Sequence, residues 1–193
     1  RADTFSFPGG MSQLVEAMAT NPFIRIRRNV QVTRVIKDAA GWQVIADTPL
    51  GQIRQSSPQL VLATPADISA NILSELDPQL HKLLAGIEYA PLAVLHMGFK
   101  RQQIRHALDG TGFLVGKRAS LGLNGNLWMG SLFPQRAPAG KTLLSSYLGG
   151  ARYPGQLELT NSQMVDQAMS GLAPLLGISG DPDYVRVDRH PRA

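Results

Sequence analysis

Residues 142–155, "TLLSSYLGGARYPG", begin as a strand and halt at two adjacent glycines, an arginine and a proline. The reading of this stretch decides the fold. A glycine turn that cradles phosphate must lie between a strand and a helix N-terminus. Pro154 and the lack of a helical pattern after Ala151 exclude that here. The stretch therefore reads as a strand closing in a tight turn, with Gly149 and Gly150 supplying positive φ. Strand character continues on both sides, in "LAVLHMGF" (92–99), "GFLV" (112–115), "NLWMGSLF" (126–133) and "YVRVDR" (184–189). Between the last two, the spacing predicts a helix from about Asn161 to Leu176. Met164, Ala168, Leu172 and Leu175 share one side of it, and Gly177 is its stop. Residues 90–190 should thus hold a mixed or antiparallel sheet packed by that helix.

The upstream texture differs. "GGMSQLVEAMATN" carries Met11, Leu14, Val15 and Met18 at helical spacing. "FIRIRR", "VQVTRVIK" and "WQVIADT" alternate apolar and polar residues, and "DAAG" (38–41) separates the last two, as in a β-meander. "QLVLAT" (59–64) is almost continuously apolar and reads as a strand buried on both faces. With 30–36 and 42–48, residues 60–63 are expected to form a separate small unit. Thr64 is the expected N-cap of a helix with Pro65 at N1 and Asp67 closing a capping box. Asp77, Pro78 and Gly86 frame a second short helix in the same way. The character of the chain changes near residue 65 and again near 90. The class is α+β.

Composition excludes several functions. The chain has 193 residues and no cysteine, so disulfides, thiolate catalysis and cysteine zinc sites are ruled out. Its apolar runs fall far short of the ~20 residues that span a bilayer. Four histidines, His81, His96, His106 and His190, are scattered, with no metal-binding or paired-carboxylate spacing. His96 alternates with apolar neighbours and reads as outward-facing or as a satisfied core residue. Ser145 and Ser146 lack the strand–turn–helix context of a nucleophile elbow. The net charge of +5 is unevenly placed. Tyr89–Leu157 holds eight basic residues against one acid, Asp109, a local charge of +7. Such a field favours an anionic partner. Nucleic acid is disfavoured, because the basic residues fall mostly in loops between apolar strands. Leu127, Trp128, Met129, Phe133 and Tyr147 are core residues or a ligand wall. Glycines interrupt the same strands at Gly98, Gly112, Gly130 and Gly149–Gly150, which marks close approach of a ligand or of another backbone. An apolar wall with gaps and a basic rim suits a large, flat, hydrophobic molecule with carboxylate edges.

"LFPQRAPAGKTLLSSYLGGARYPG", "IEYAPLAVLHMGFKR" and "GTGFLVG", with "FPGGMSQLVEAM", "LVLATPADISANIL" and "VRVDRHPRA" around them, closely resemble the protoporphyrinogen/coproporphyrinogen oxidases of haem biosynthesis. That family lies within the flavin-dependent amine oxidase and phytoene desaturase superfamily. The resemblance implies an FAD-dependent oxidase that converts a porphyrinogen to a porphyrin. It implies that residues 1–65 are part of an FAD-binding domain and that 66–193 are the porphyrinogen-binding domain. Carried over by position, Gly112, Leu114, Leu127 and Tyr147 would meet the tetrapyrrole. Arg152 or Arg136 would meet its carboxylates, on charge alone. Val32, Ala63 and Pro65 would border the cofactor, Val32 toward the adenine end. No residue here is assigned a catalytic or metal-binding role. The family's G-x-G-x-x-G is not in this chain, and His190 stands where the family commonly has tryptophan. With Arg1 at its start and "RHPRA" at its end, the chain is expected to be an internal piece of a longer enzyme. Alone it should be inactive and hold no FAD. The resemblance implies a cytoplasmic location and leaves room for peripheral membrane association of the full-length protein. Other flavin amine oxidases or desaturases, and a non-catalytic tetrapyrrole- or lipid-binding module, remain as alternatives.

Overall fold

The computed structural model describes residues 5–119 and 121–193. They form two compact units, residues 9–88 and residues 89–193 with the N-terminal residues up to Pro8. The boundary coincides with the second change in sequence texture, near residue 90.

The unit 9–88 contains helix α1 (Ser12–Ala19) and a meander of β1 (Gln31–Asp38), β2 (Gly41–Thr48) and β3 (Gly51–Ser57), followed by α2 (Ala66–Leu73) and α3 (Pro78–Ala85). The first hairpin closes as its turn chemistry dictates. The Asp38 carboxylate accepts the Ala40 N–H at 2.9 Å, and Gly41 takes φ +131°. Val35 on β1 packs with Ile72 and Leu73 of α2, and Leu60, Leu62 and Trp42 surround them. This packing keeps α2 and α3 with the meander. Strand β3 escapes sequence reading because "GQIRQSS" has little apolar alternation. It is an edge strand held by its register with β2.

Three expectations fail in this unit. Residues 59–64 are not a strand: Leu60 and Leu62 reach the small core, but Val61 is 87% exposed and pairs with no strand. An apolar run becomes a buried strand only where neighbouring strands supply ladder partners. "FIRIRR" likewise lies outside any strand. Thr64 does not cap α2. Pro65 occupies the cap position, and the Thr64 hydroxyl is hydrogen-bonded to that of Ser69 at 2.7 Å. Helix α3 does start as expected, with the Asp77 carboxylate accepting the Leu80 N–H at 2.9 Å and Pro78 in the first turn. The Met11, Leu14, Val15 and Met18 stripe of α1 forms but is exposed within its unit.

In the other unit β4 (Leu92–Lys100), β5 (Gly112–Leu114), β6 (Gly125–Trp128), β7 (Lys141–Gly149) and β8 (Tyr184–His190) make one antiparallel sheet in the order β5-β6-β7-β4-β8. "NLWMGSLF" does not continue as a strand. It turns after Trp128 into the single turn α4 (Met129–Leu132). Helix α5 (Asn161–Leu176) is held at its start by a capping box, the Thr160 hydroxyl accepting the Gln163 N–H while the Gln163 side chain accepts the Thr160 N–H. It stops at Gly177, φ +63°. Met164, Ala168, Leu172 and Leu176 bury against Leu95, Met97, Leu144 and Leu148 of the sheet. The expected stripe shifts by one position at its end. Leu176 is 2% exposed, whereas Leu175 is 51% exposed. No helix among the described residues is long and apolar enough to cross a membrane.

This stripe gives a direct test. Leu172→Ala should lower stability by about 2–5 kcal/mol through an uncollapsed cavity. Leu175→Ala should change it by less than about 0.5 kcal/mol. Thermal melts of the two variants check the assignment.

Candidate functional site

An antiparallel sheet has two faces, and one is taken here by α5. On β4 the buried Ala93, Leu95, Met97 and Phe99 point toward the helix, so Leu92, Val94, His96 and Gly98 lie on the other face. Register extends this division across all five strands. One row on the face away from α5 runs Gly112, Leu127, Ser145, His96, Arg186. The next runs Leu114, Gly125, Tyr147, Val94, Asp188, and a third begins Leu143, Gly98, Tyr184. Four of the residues expected to bind substrate, Gly112, Leu114, Leu127 and Tyr147, therefore share one face and two adjacent rows. Leu114 is 87% exposed, and Leu127 and Tyr147 are half-buried. Together they present an apolar surface on β5, β6 and β7.

Arg152 is not in these rows. It follows the turn after β7, and its guanidinium donates to the Val115 carbonyl at 3.0 Å, tying that turn to the end of β5. Arg136 donates to the Ser6 hydroxyl and the Phe7 carbonyl and lies beside the third row, lining a cavity with Gly98, Leu143 and Tyr184. Arg101 caps a loop through the carbonyls of Ile104, His106 and Ala107, and Lys141 pairs with Asp183 at 2.7 Å. Half of the basic residues behind the local +7 charge thus have structural partners.

A Cβ on Gly112 (φ +133°) would fall 2.1 Å from the Asn126 carbonyl oxygen. One on Gly98 would meet Tyr184, one on Gly130 would meet Thr142, and one on Gly149 would meet the Pro91 carbonyl. Gly149 and Gly150 have φ +87° and +69°, and the Gly150 N–H donates to Pro91. The protein itself fills these gaps. The double glycine is a turn, and the close approach it permits is to Pro91.

The other end of the face carries a cluster that spacing alone does not reveal. His96 Nδ1 is 2.7 Å from the Ser145 hydroxyl, and its Nε2 is 3.7 Å from an Asp188 oxygen. Arg186 forks onto Asp188 through Nε and Nη2 at 2.8–3.0 Å. The Arg186 hydrogen bonds hold the Asp188 carboxyl below the usual carboxylate range and raise the guanidinium further. Burial lowers the His96 imidazole below its ordinary value. Asp188 opposes that effect and Arg186 adds to it. The available signals were the i, i+2 spacing of Arg186 and Asp188 and the alternation around His96. Only register joins them.

In the unit 9–88, Val32 lines a cavity of about 450 Å³ with Arg25, Arg27, Val30, Val44 and Ile53. An apolar floor beside two guanidinium groups fits the adenine and phosphate parts of a dinucleotide. Ala63 and Pro65 lie exposed ahead of α2 and are not among its lining residues. Among the described residues no group of three or more His, Asp or Glu side chains could hold a metal ion.

Residues 2–192 match the family described as flavin containing amine oxidoreductase. Mitochondrial protoporphyrinogen oxidase of Nicotiana tabacum is 30% identical over 200 residues, covering 94% of this chain and 39% of the relative. Coproporphyrinogen III oxidase of Bacillus subtilis (strain 168) is 23% identical, covering 93% and 37%. The chain thus spans less than half the length of these curated relatives. A candidate protoporphyrinogen oxidase of Exiguobacterium sp. 255-15 shares the fold with a TM-score of 0.75 at 19% identity, over 95% of this chain and 39% of that one. Putrescine oxidase superposes with a TM-score of 0.67 at 18% identity, over 93% and 38%.

The cluster predicts a pH dependence of stability. With the folded His96 value lowered, the unfolded chain binds the proton more readily, so stability falls as pH drops through about 6.5. Asp188, held down by Arg186, adds stability that is lost only below about pH 4. Melting temperature should decline between about pH 7.5 and 5.5 and decline less in His96→Gln. An equal decline in both proteins refutes the assignment to His96.

Proposed function

The chain belongs to the flavin-containing amine oxidoreductase family, and from that premise we propose that it is the central part of an FAD-dependent oxidase that converts a porphyrinogen to a porphyrin. Its face away from α5 is the wall on which the macrocycle lies. One observation carries this reading: Gly112, Leu114, Leu127 and Tyr147 fall on one face and in two adjacent rows of a single sheet. A flat hydrophobic ligand needs such a wall, wide, apolar and rigid through its ladder hydrogen bonds. The protoporphyrinogen and coproporphyrinogen oxidases among the relatives support the same substrate class.

The chemistry would be shared simply. Bound FAD supplies the hydride acceptor. This chain's residues orient the ring and keep water from it, the shape of Leu114, Leu127 and Tyr147 holding the macrocycle parallel to the sheet. On the cofactor side, Val32 and the Arg25–Arg27 rim of its cavity would receive the adenine end, with Ala63 and Pro65 at the border. In this reading the residues up to 65 would hold the cofactor side, and the unit from Tyr89 would hold the substrate wall.

The test is porphyrin affinity in the intact protein that carries this chain. Tyr147→Ala should weaken binding about tenfold or more, as the loss of a large buried apolar surface demands. Arg152→Ala should weaken it no more than about threefold, because its charge is exposed and its main partner is Val115. Arg54→Ala, on β3, should leave it unchanged. If Tyr147 and Arg54 are equally dispensable, the wall lies elsewhere.

A further inference from the structure

The wall is not uniform. Its β5–β6–β7 side is apolar, and its β4–β8 side ends in His96, Arg186 and Asp188 around the buried Ser145 hydroxyl. We propose that this end is a carboxylate subsite: His96 receives one carboxylate from the edge of a flat ligand lying on Leu127 and Tyr147. The inference rests on the wall reading above and deepens it.

Charge complementarity carries it. Arg186 and Asp188 neutralise each other through a three-bond fork. A protonated His96 would be a second cation beside Arg186 with only one anion between them. Burial disfavours that charge on the free imidazole; Asp188 pulls the other way, and Arg186 adds a smaller push in the direction of burial. A single ligand carboxylate is the missing counter-ion. With it the set holds two cations and two anions. Ser145 prepares the ring for this. Its hydroxyl engages Nδ1 at 2.7 Å, which leaves Nε2 as the ring nitrogen facing the Asp188 side.

The other charged and titratable groups on this face are Tyr184, Arg186, Asp188 and His190 from β8, Tyr147 from β7 and, at the far end, Lys141, paired with Asp183, beside Lys100 of β4; Arg136 borders the same end from the loop before β7. Reach is also satisfied. Leu127 and His96 are two strand intervals apart, about 10 Å, so a ring over Leu127 puts its substituents over the imidazole. Beside that position, Gly98, Leu143 and Tyr184 line a cavity of about 430 Å³ with Arg136, Lys141 and Asp183, which gives an anionic arm room to enter.

Binding should therefore take up a proton at His96. In the intact protein, monomeric protoporphyrin in non-ionic detergent should bind about tenfold tighter at pH 6 than at pH 8, and its dimethyl ester should show no such gain. His96→Gln should abolish the pH dependence. Asp188→Asn removes the internal anion and should tighten binding of the free acid at pH 8, a gain that a misfolded variant would not produce. An ester with the same pH slope as the acid, or a slope retained in His96→Gln, overturns the subsite and leaves the wall standing. If Tyr147→Ala weakens neither ligand, the wall reading fails and the subsite with it.

Discussion

The structure from Tyr89 onward depends on one constraint: α5 seals a single face of an antiparallel sheet. Met164, Ala168, Leu172 and Leu176 bury against Leu95, Met97, Leu144 and Leu148. Because strand side chains alternate strictly, this seal fixes what every residue on the opposite face must be. A one-residue slip of β4 against β7 would carry His96 into the apolar core and turn Leu95 outward. Hydrophobic burial, at roughly 25 cal/mol per Å², thus sets the register on which the candidate site relies. The site residues make small contributions to that energy and inherit their positions from it.

The same economy explains features that look functional in one dimension. Gly112 is glycine because β6 backbone occupies the place of its Cβ, and Gly149 because Pro91 does. Arg101, Arg136 and Arg152 are donors to backbone carbonyls that loops and turns leave without ladder partners. A glycine gap or an arginine-rich segment signals close approach or charge, and in this chain the protein's own backbone meets much of that demand. The sheet face away from α5, the proposed ligand wall, is graded from the apolar β5–β6–β7 side to the ionisable β4–β8 side.

The unit 9–88 follows different logic. Its meander closes through local turn chemistry and needs little beyond the pairing of neighbours in sequence, so β1 and β2 were legible. Strand β3 was not, since an edge strand can be polar on both faces and is stabilised by the ladder alone. Leu60–Thr64 erred in the opposite direction. Its composition is that of a central strand, and a strand exists only where a neighbour is present to pair with it.

The sequence by itself determined the α+β class, the boundaries of α3 and α5, the closing turn at Gly149–Gly150 and the family resemblance. Each of these rests on residues within a few positions of one another: caps, helical periodicity and turn glycines act over one or two turns of chain. The four residues proposed as the wall were nameable too, though only through resemblance. Tertiary structure alone decided that Gly112, Leu114, Leu127 and Tyr147 share a face. It alone gave Arg136 and Arg152 backbone partners at Phe7 and Val115 and joined His96 to Ser145, Arg186 and Asp188. Those decisions join residues as far apart in the chain as His96 and Arg186, 90 positions, only through pairing, as in the Gly112–Leu127–Ser145–His96–Arg186 row. Cross-strand register is set by burying the opposite face, and no local pattern encodes it.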